Sequence, residues 1–287
     1  MLALCKMIFS APLSARIGMA MVFVMLMTAL FAPMIAPYSE TEVVGDVWLE
    51  SSAEHWLGTD NLGRDLLSRL MFGARNTIAI AFLITTLSFV IGIILGFSAA
   101  TVGKWVDQVL SRTVDILMAF PTLVFALMVL SVVGTSIPAL VVVIALLDST
   151  RVFRLSRAVA MDIEVMEFVE VARVRGEGVW WLMRHEILPN AMPPLIAEFG
   201  LRFCFVFLFI ASLSFLGLGL QPPSADWGSM VRENAGAITF GILTPLWPAG
   251  AIAFLTVGVN LIVDWILPVS YTHLRAHETR AFISYAV

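Results

Sequence analysis

Charge and cysteine are what this sequence has least of. Only 13% of its 287 residues are Asp, Glu, Lys or Arg, and two are cysteine. An ordinary soluble domain carries about 25% charged residues. Here 60% of residues are hydrophobic and the mean hydropathy is +0.94. A soluble fold of this length cannot hide so much apolar surface, so a lipid bilayer must cover part of it. Cys5 and Cys204 stand far apart, which excludes a disulfide framework or a zinc spacing. Cys204 lies in an apolar run, where a thiol behaves as a small hydrophobe. The net charge of −4 lacks the basic footprint of a nucleic-acid binder. Phosphate loops are missing as well: Gly103-Lys104 is followed by Trp105, with no glycine at the required earlier position. There is no Gly-x-Ser-x-Gly elbow and no His-Glu-x-x-His. His273 and His277 have i,i+4 spacing, but nothing nearby completes a metal site. The expectation is a chain that is not an enzyme, has no catalytic residue and no metal site, and holds no cofactor of its own.

Long apolar runs are what is present. A spanning helix needs about 20 mostly apolar residues. Six stretches qualify, at about 17–35, 77–100, 113–133, from 137 onward, 195–218 and 246–267. Pro121 falls inside the third and predicts a kink. The fourth meets Asp148 and Arg151 before it is long enough. The first has a signal peptide as its alternative. It is long for that role, and Pro33 and Pro37 stand where a small-residue cleavage site belongs. The fold class expected is all-α and polytopic, with about six transmembrane helices.

Lys and Arg set the orientation. With the N-terminus in the cytoplasm, the inner segments hold Lys6, Arg16, Lys104, Arg112, Arg151, Arg154, Arg157, Arg173, Arg175 and Arg184. The outer loops, about 37–75 and 219–245, hold Arg64, Arg69, Arg75 and Arg232 together with most of the acids. Both termini are then cytoplasmic. The loops are too short for a substrate-binding domain, and the inner loop at about 154–193 is too short for a nucleotide-binding domain. Energy must come from an ion gradient or from another chain.

The inner loop reads as a helical hairpin. Asp162 is placed to cap a helix running through Glu164, Glu167 and Glu170 to Arg173 and Arg175, with Gly176 as a left-handed stop. A second helix, about Val179–Ile187, is expected to end before Pro189. On these residues alone the hairpin is equally a connector or a docking element. Asp148 with Arg151, and Glu198 with Arg202, have spacings that allow pairing, which makes them gate or packing pairs near the inner helix ends. Gly92-x-x-x-Gly96 reads as close helix packing.

The stretch Glu170-Val171-Ala172, then Gly176, then Leu188-Pro189, resembles the Glu-Ala-Ala…Gly…Leu-Pro loop of ABC importer permeases, with Val171 where alanine is usual. His55 to Asp65, containing Gly58-Thr59-Asp60 and Gly63-Arg64-Asp65, with Ser68-Arg69 and Gly73-Ala74-Arg75, resembles the segment before the second span in dipeptide/oligopeptide/nickel-type permeases. Leu213 to Gly219, Pro222-Pro223 and Asp226-Trp227-Gly228 resemble the end of their fifth span and the loop after it. The resemblance covers about residues 10–267.

It implies a cytoplasmic N-terminus (1–16), a permease domain (17–267) with its coupling loop at about 160–190, and a location in the bacterial inner membrane. Implied partners are a second permease, one or two ATP-binding subunits that carry ATP and Mg, and a periplasmic binding protein that delivers small peptides or nickel- or opine-like solutes. Glu170, Val171, Ala172, Gly176, Leu188 and Pro189 would couple to the ATPase. Gly58, Thr59, Asp60, Gly63, Arg64 and Asp65 would shape the outer mouth, Arg64 and Asp65 as a pair. The rival is an ion-coupled transporter, for which neither an internal repeat nor a midplane carboxylate cluster is visible. Residues 268–287, which begin with an abrupt change of character, resemble translated adapter or vector sequence.

Overall fold

Uninterrupted apolar sequence with few breakers makes helices, and the breakers end them. The computed structural model describes residues 11–284, with side chains through Ile266. Cys5, Lys6 and the side chains of the tail, His273 and His277 among them, lie outside the described residues. Among those described there is no strand, only isolated bridges between Val43 and Arg64 and between Thr59 and Asp65.

The order is α1 (Leu13–Ile35), α2 (Leu66–Val102), α3 (Lys104–Met118), α4 (Thr122–Val133), α5 (Ile137–Glu164), α6 (Glu167–Val174), α7 (Val179–Leu182), a π-helical turn (Met183–Ile187), α8 (Leu188–Phe215), α9 (Trp227–Asn234), a 3-10 turn (Ala235–Phe240) and α10 (Leu246–Ser284). Four stretches are long and apolar enough to cross a membrane: α1, α2, α7 through α8, and Leu246–Ile266 of α10. The pair α3 and α4 makes a fifth if counted as one bent span. The chain is an all-α, multi-pass membrane protein.

Three boundaries differ from the sequence reading. The third run does not kink at Pro121 but breaks there, α3 and α4 meeting at 88°. Proline has no N–H to continue the ladder and disfavours the helical conformation of the residue before it. α3 also begins at Lys104 and carries Asp107 and Asp115, which pair with Arg157 and Arg154 of α5 at 2.5 and 2.7 Å. α5 runs for 28 residues despite its charges, because Asp148, Arg154 and Arg157 find partners on α2, α3 and α8. α8 does not start after Pro189. The helix runs on from α7, and the widened turn at Met183–Ile187 holds His185, whose carbonyl the ring of Pro189 would otherwise strike.

The helices assemble through small residues. A Cβ on Gly92 would come within 2.6 Å of Val152, and one on Gly96 within 2.8 Å of Ser156, so α2 and α5 touch along this line as the glycine spacing predicts. Gly18 of α1 meets the Gly258 carbonyl of α10 in the same way. The larger apolar core surrounds α2 and includes Ile84, Ile144, Phe207, Ile210 and Trp227. A second core ties the far ends of α2 and α5 to the underside of α6 and α7 through Phe97, Val152, Val169, Ala172 and Leu182.

Candidate functional site

Three polar regions stand out, one at each end of the helices and one between. The first interlocks the two long loops. Asp60 is 1% exposed and its Oδ2 accepts from Arg64 Nε at 2.7 Å and Arg69 Nη1 at 2.5 Å. Its Oδ1 accepts from the backbone N–H groups of Leu62 and Arg64. Both guanidiniums also reach Glu233 of α9, at 3.2 and 3.4 Å. Two carboxylates thus balance two buried guanidiniums, the condition under which such charges are tolerated. Arg64 and Asp65 do not pair with each other. Asp65 caps α2 through Ser68 N at 2.8 Å and faces His55 Nδ1 at 3.2 Å. Neighbouring residues on an extended backbone point apart, which is why the expected pair fails.

Gly58 and Gly63 have φ of +78° and +74°, and a Cβ at either would strike a backbone carbonyl at 2.2 or 2.1 Å. The Thr59 hydroxyl donates to the Asp46 carbonyl at 2.6 Å and accepts from Leu49 N at 2.8 Å. Asn234 Oδ1 accepts from Trp48 and from Asn61 N, and Glu40 accepts from Ala225 N at 2.8 Å. Asp226 caps α9 and accepts from Thr77 Oγ1 at 3.0 Å. Trp227 lies over Gly73, where a Cβ would approach its ring to 2.7 Å. Two motifs 150 residues apart in the chain therefore form one cap. Burial raises the carboxyls of Asp226 and Glu233 above the usual carboxylate range, opposed at Asp226 by its hydrogen bonds and at Glu233 by Arg64.

The second region lies midway along α2, α5 and α8. Arg202 Nε donates to Glu198 at 2.7 Å, as the i,i+4 spacing predicts. The expected Asp148–Arg151 pair does not form. Asp148 instead accepts from Ser88 Oγ at 3.0 Å and lies 3.7 Å from Arg202. Nor do these residues sit at the inner helix ends. Ser88 belongs to residues 77–102 of α2, which carry no charge at all, and Arg202 is at the centre of α8.

The third region is the hairpin. Asp162 caps nothing, because α5 continues past it to Glu164. α6 starts afresh at Glu167, so Glu170 lies in its first turn, where the helix dipole favours a carboxylate. A helix capped by Asp162 would instead have put Glu170 near its C-terminal end, against the dipole. Gly176 takes φ +85° as expected and closes α6 with its N–H bonded to the Arg173 carbonyl. Nothing lies within 4 Å of a Cβ placed there. Val169 and Ala172 are buried, while Glu170, Val171, Val174 and Pro189 are exposed and Leu188 is half-buried. Arg173 pairs with Glu164, and Arg175 stacks over Trp181 at 5.6 Å.

Sequence reasoning missed Glu233, Asn234, Glu40 and Ser88 as partners. The acids and the asparagine were visible only as loop polarity, and Ser88 as one hydroxyl in an apolar run.

Comparison with known proteins agrees with this architecture. The family described as binding-protein-dependent transport system inner membrane component matches residues 90–275. The chain is 33% identical over 251 residues to the dipeptide transport system permease protein DppC of Alkalihalophilus pseudofirmus, covering 87% of this chain and 83% of the relative. It is 35% identical to the di/tripeptide transport system permease protein DppC of Pseudomonas aeruginosa, covering 86% and 84%. It is 31% identical to the probable D,D-dipeptide transport system permease protein DdpC of Escherichia coli, covering 91% and 87%. A chain from the crystal structure of an amino acid ABC transporter with histidines shares the fold at TM-score 0.52 and 20% identity, covering 69% of this chain and 92% of that one. The helical fold and the matched sequence together place this chain in the family of binding-protein-dependent transport inner membrane components, as an ABC importer permease of the peptide type.

Proposed function

We propose that the chain is one of two membrane-spanning subunits of an ATP-driven importer that moves small peptides handed over by a periplasmic binding protein. The observation that carries this is the hairpin. Its underside is fixed to α2 and α5 by Val169, Ala172 and Leu182, while its outer face offers Glu167, Glu170, Val171 and Val174 to a partner. A rigid lever with an unpartnered face suits a separate ATPase that binds ATP and Mg. The peptide substrate follows from the relatives' names. In this reading α3 with α4, and α5, complete six crossings. The hairpin and the termini face the cytoplasm, and the cap formed around Asp60 faces the binding protein.

The test is reconstitution. Purified with its second permease, ATPases and binding protein, the complex should import a labelled dipeptide on ATP. The permease pair alone should hydrolyse none. Loaded binding protein that stimulates neither hydrolysis nor uptake would reject the proposal. Orientation is tested separately, in a chain lacking Cys5 and Cys204. Ser52→Cys should react with an impermeant thiol reagent in intact spheroplasts, and Val174→Cys only after lysis. The reverse pattern would invert the topology.

A further inference from the structure

Between α1, α2, α8 and α10 lies a cleft of about 720 Å³, lined by Val22, Leu30, Phe82, Phe203 and Ile262 among others, with Arg75 as its charged residue. Every other residue of the lining is apolar or glycine. Two contacts fix its direction. Tyr38 N, just beyond α1, donates to Ser68 Oγ in the first turn of α2, so Pro33 and Arg75 lie at the end that carries the cap. At the other end α1 and α10 close on each other at Gly18 and Gly258. From Val22 to Pro33 the cleft runs about 16 Å at 1.5 Å per residue. That is close to one leaflet of a hydrocarbon core about 30 Å thick.

Arg75 stands at the depth of the headgroups. It is the last charge before the uncharged stretch 77–102 of α2, and the cap residue Trp227 packs on Gly73 just before it. It is exposed and, among the described residues, has no hydrogen bond or ion pair. The carboxylates near its end of α2 are engaged elsewhere: Glu40 accepts from Asn76 and Ala225 N, and Asp226 from Thr77 and Ser229 N. On α8, Glu198 holds Arg202. Water finds no partners along apolar walls, and an empty void of this size forfeits the contacts of a packed interior. A volume of 300–1,000 Å³ takes a drug-sized ligand, and lipid tails supply apolar matter of that size to any cleft that opens on the bilayer.

From this geometry we infer that the cleft is a binding site for an anionic phospholipid of the leaflet on the cap side. One acyl chain lies between α1 and α8, against Leu30, Phe82 and Phe203, and the phosphate sits on the Arg75 guanidinium. The bound chain then fills the space that α1 leaves open, and fastens α1 to the rest of the helices. The inference is independent of the importer reading above.

The experiment places the full chain in bilayers of phosphatidylcholine and phosphatidylglycerol, extracts it in mild detergent and counts the retained lipid by mass spectrometry. The wild type should retain phosphatidylglycerol in preference, and its melting temperature should rise when that lipid is added. Loss of a charge-assisted hydrogen bond weakens binding by about tenfold or more. Arg75→Gln should lose phosphatidylglycerol by about that factor and show no rise in melting temperature, while Arg75→Lys keeps most of both. Ala79 is exposed within the cleft. Ala79→Trp, which fills the space and leaves Arg75 in place, should lose the lipid too, and it decides the matter if Arg75→Gln does not accumulate. Equal retention of the two lipids by the wild type, or undiminished retention by Arg75→Gln, would overturn the assignment of the phosphate. Undiminished retention by Ala79→Trp would put the tail outside the cleft and overturn the site. So would wild-type protein that gives up the lipid on binding a second permease, since the cleft is then an interface between subunits. None of these outcomes bears on the importer reading.

Discussion

The two ends of this molecule are built on opposite principles. At one end the cap around Asp60 hides its charges: Asp60, Arg64, Asp65 and Arg69 are all at most 5% exposed, and each has a partner fixed by geometry. At the other end the hairpin displays its charges, and Val174 is 84% exposed. Gly176 turns in open space, whereas Gly58 and Gly63 turn against backbone carbonyls. The cap spends its polar groups on itself and cannot change without cost. The hairpin leaves Glu167 and Glu170 exposed and without an ion pair among the described residues. A motif rich in Gly, Asp and Arg is therefore no sign of an exposed contact surface.

Four measurements would break or sharpen this contrast. The largest effect is expected at Asp60. Asp60→Asn leaves two buried guanidiniums facing Glu233 alone, and breaking such a pair costs about 3–5 kcal/mol. The variant should fail to accumulate, or lose its monodisperse peak on size exclusion in detergent after mild heating. Wild-type behaviour would show that the cap is not a structural lock.

Glu170→Lys is the counterpart at the other end. The side chain is exposed and pairs with nothing among the described residues, so the variant should still fold. Losing an acid from the first turn of α6 costs about 0.3–1 kcal/mol. Capture of the ATPase and stimulated hydrolysis should both fall by about tenfold if a charged contact is inverted. Normal coupling would make the hairpin a connector.

Gly176→Val adds about 1–3 kcal/mol of backbone strain at positive φ, while its Cβ meets no neighbour within 4 Å. It should alter the angle between α6 and α7, and reduce ATPase capture more than it reduces thermal stability. A drop in stability with coupling intact would show that the turn matters only for folding.

The smallest effect is a pH dependence at Glu233. Burial holds its folded-state pKa above that of the unfolded chain, so the folded protein binds this proton more tightly. Its contribution to stability is then fully present below the unfolded carboxylate range and declines as pH rises through the raised folded value. Relative to Glu233→Gln, the wild type should lose stability on going from about pH 4 toward neutrality. A parallel pair of stability curves would show that Glu233 keeps the pKa of an exposed carboxylate.

The sequence alone determined that this chain is helical and lives in a membrane, because hydropathy and the length of an apolar run are local properties. It also determined the left-handed turn at Gly176 and the close line at Gly92 and Gly96, because small residues at helical spacing leave little choice. The family was legible in three short motifs. Partnership was not. Arg64 prefers Asp60 and Glu233 to its neighbour Asp65, and Asp148 prefers Ser88 and Arg202 to Arg151. Spacing along one helix shows which groups can meet, but a buried charge takes the partner that best offsets its lost hydration, and that partner comes from another element. The break at Pro121 and the uninterrupted passage through Pro189 were settled in the same way. Both prolines lack an N–H, but at Pro189 a widened turn absorbs the ring and the helix continues, while at Pro121 α3 and α4 turn through 88°. What a proline or a charge does in this protein was decided by what the fold placed beside it.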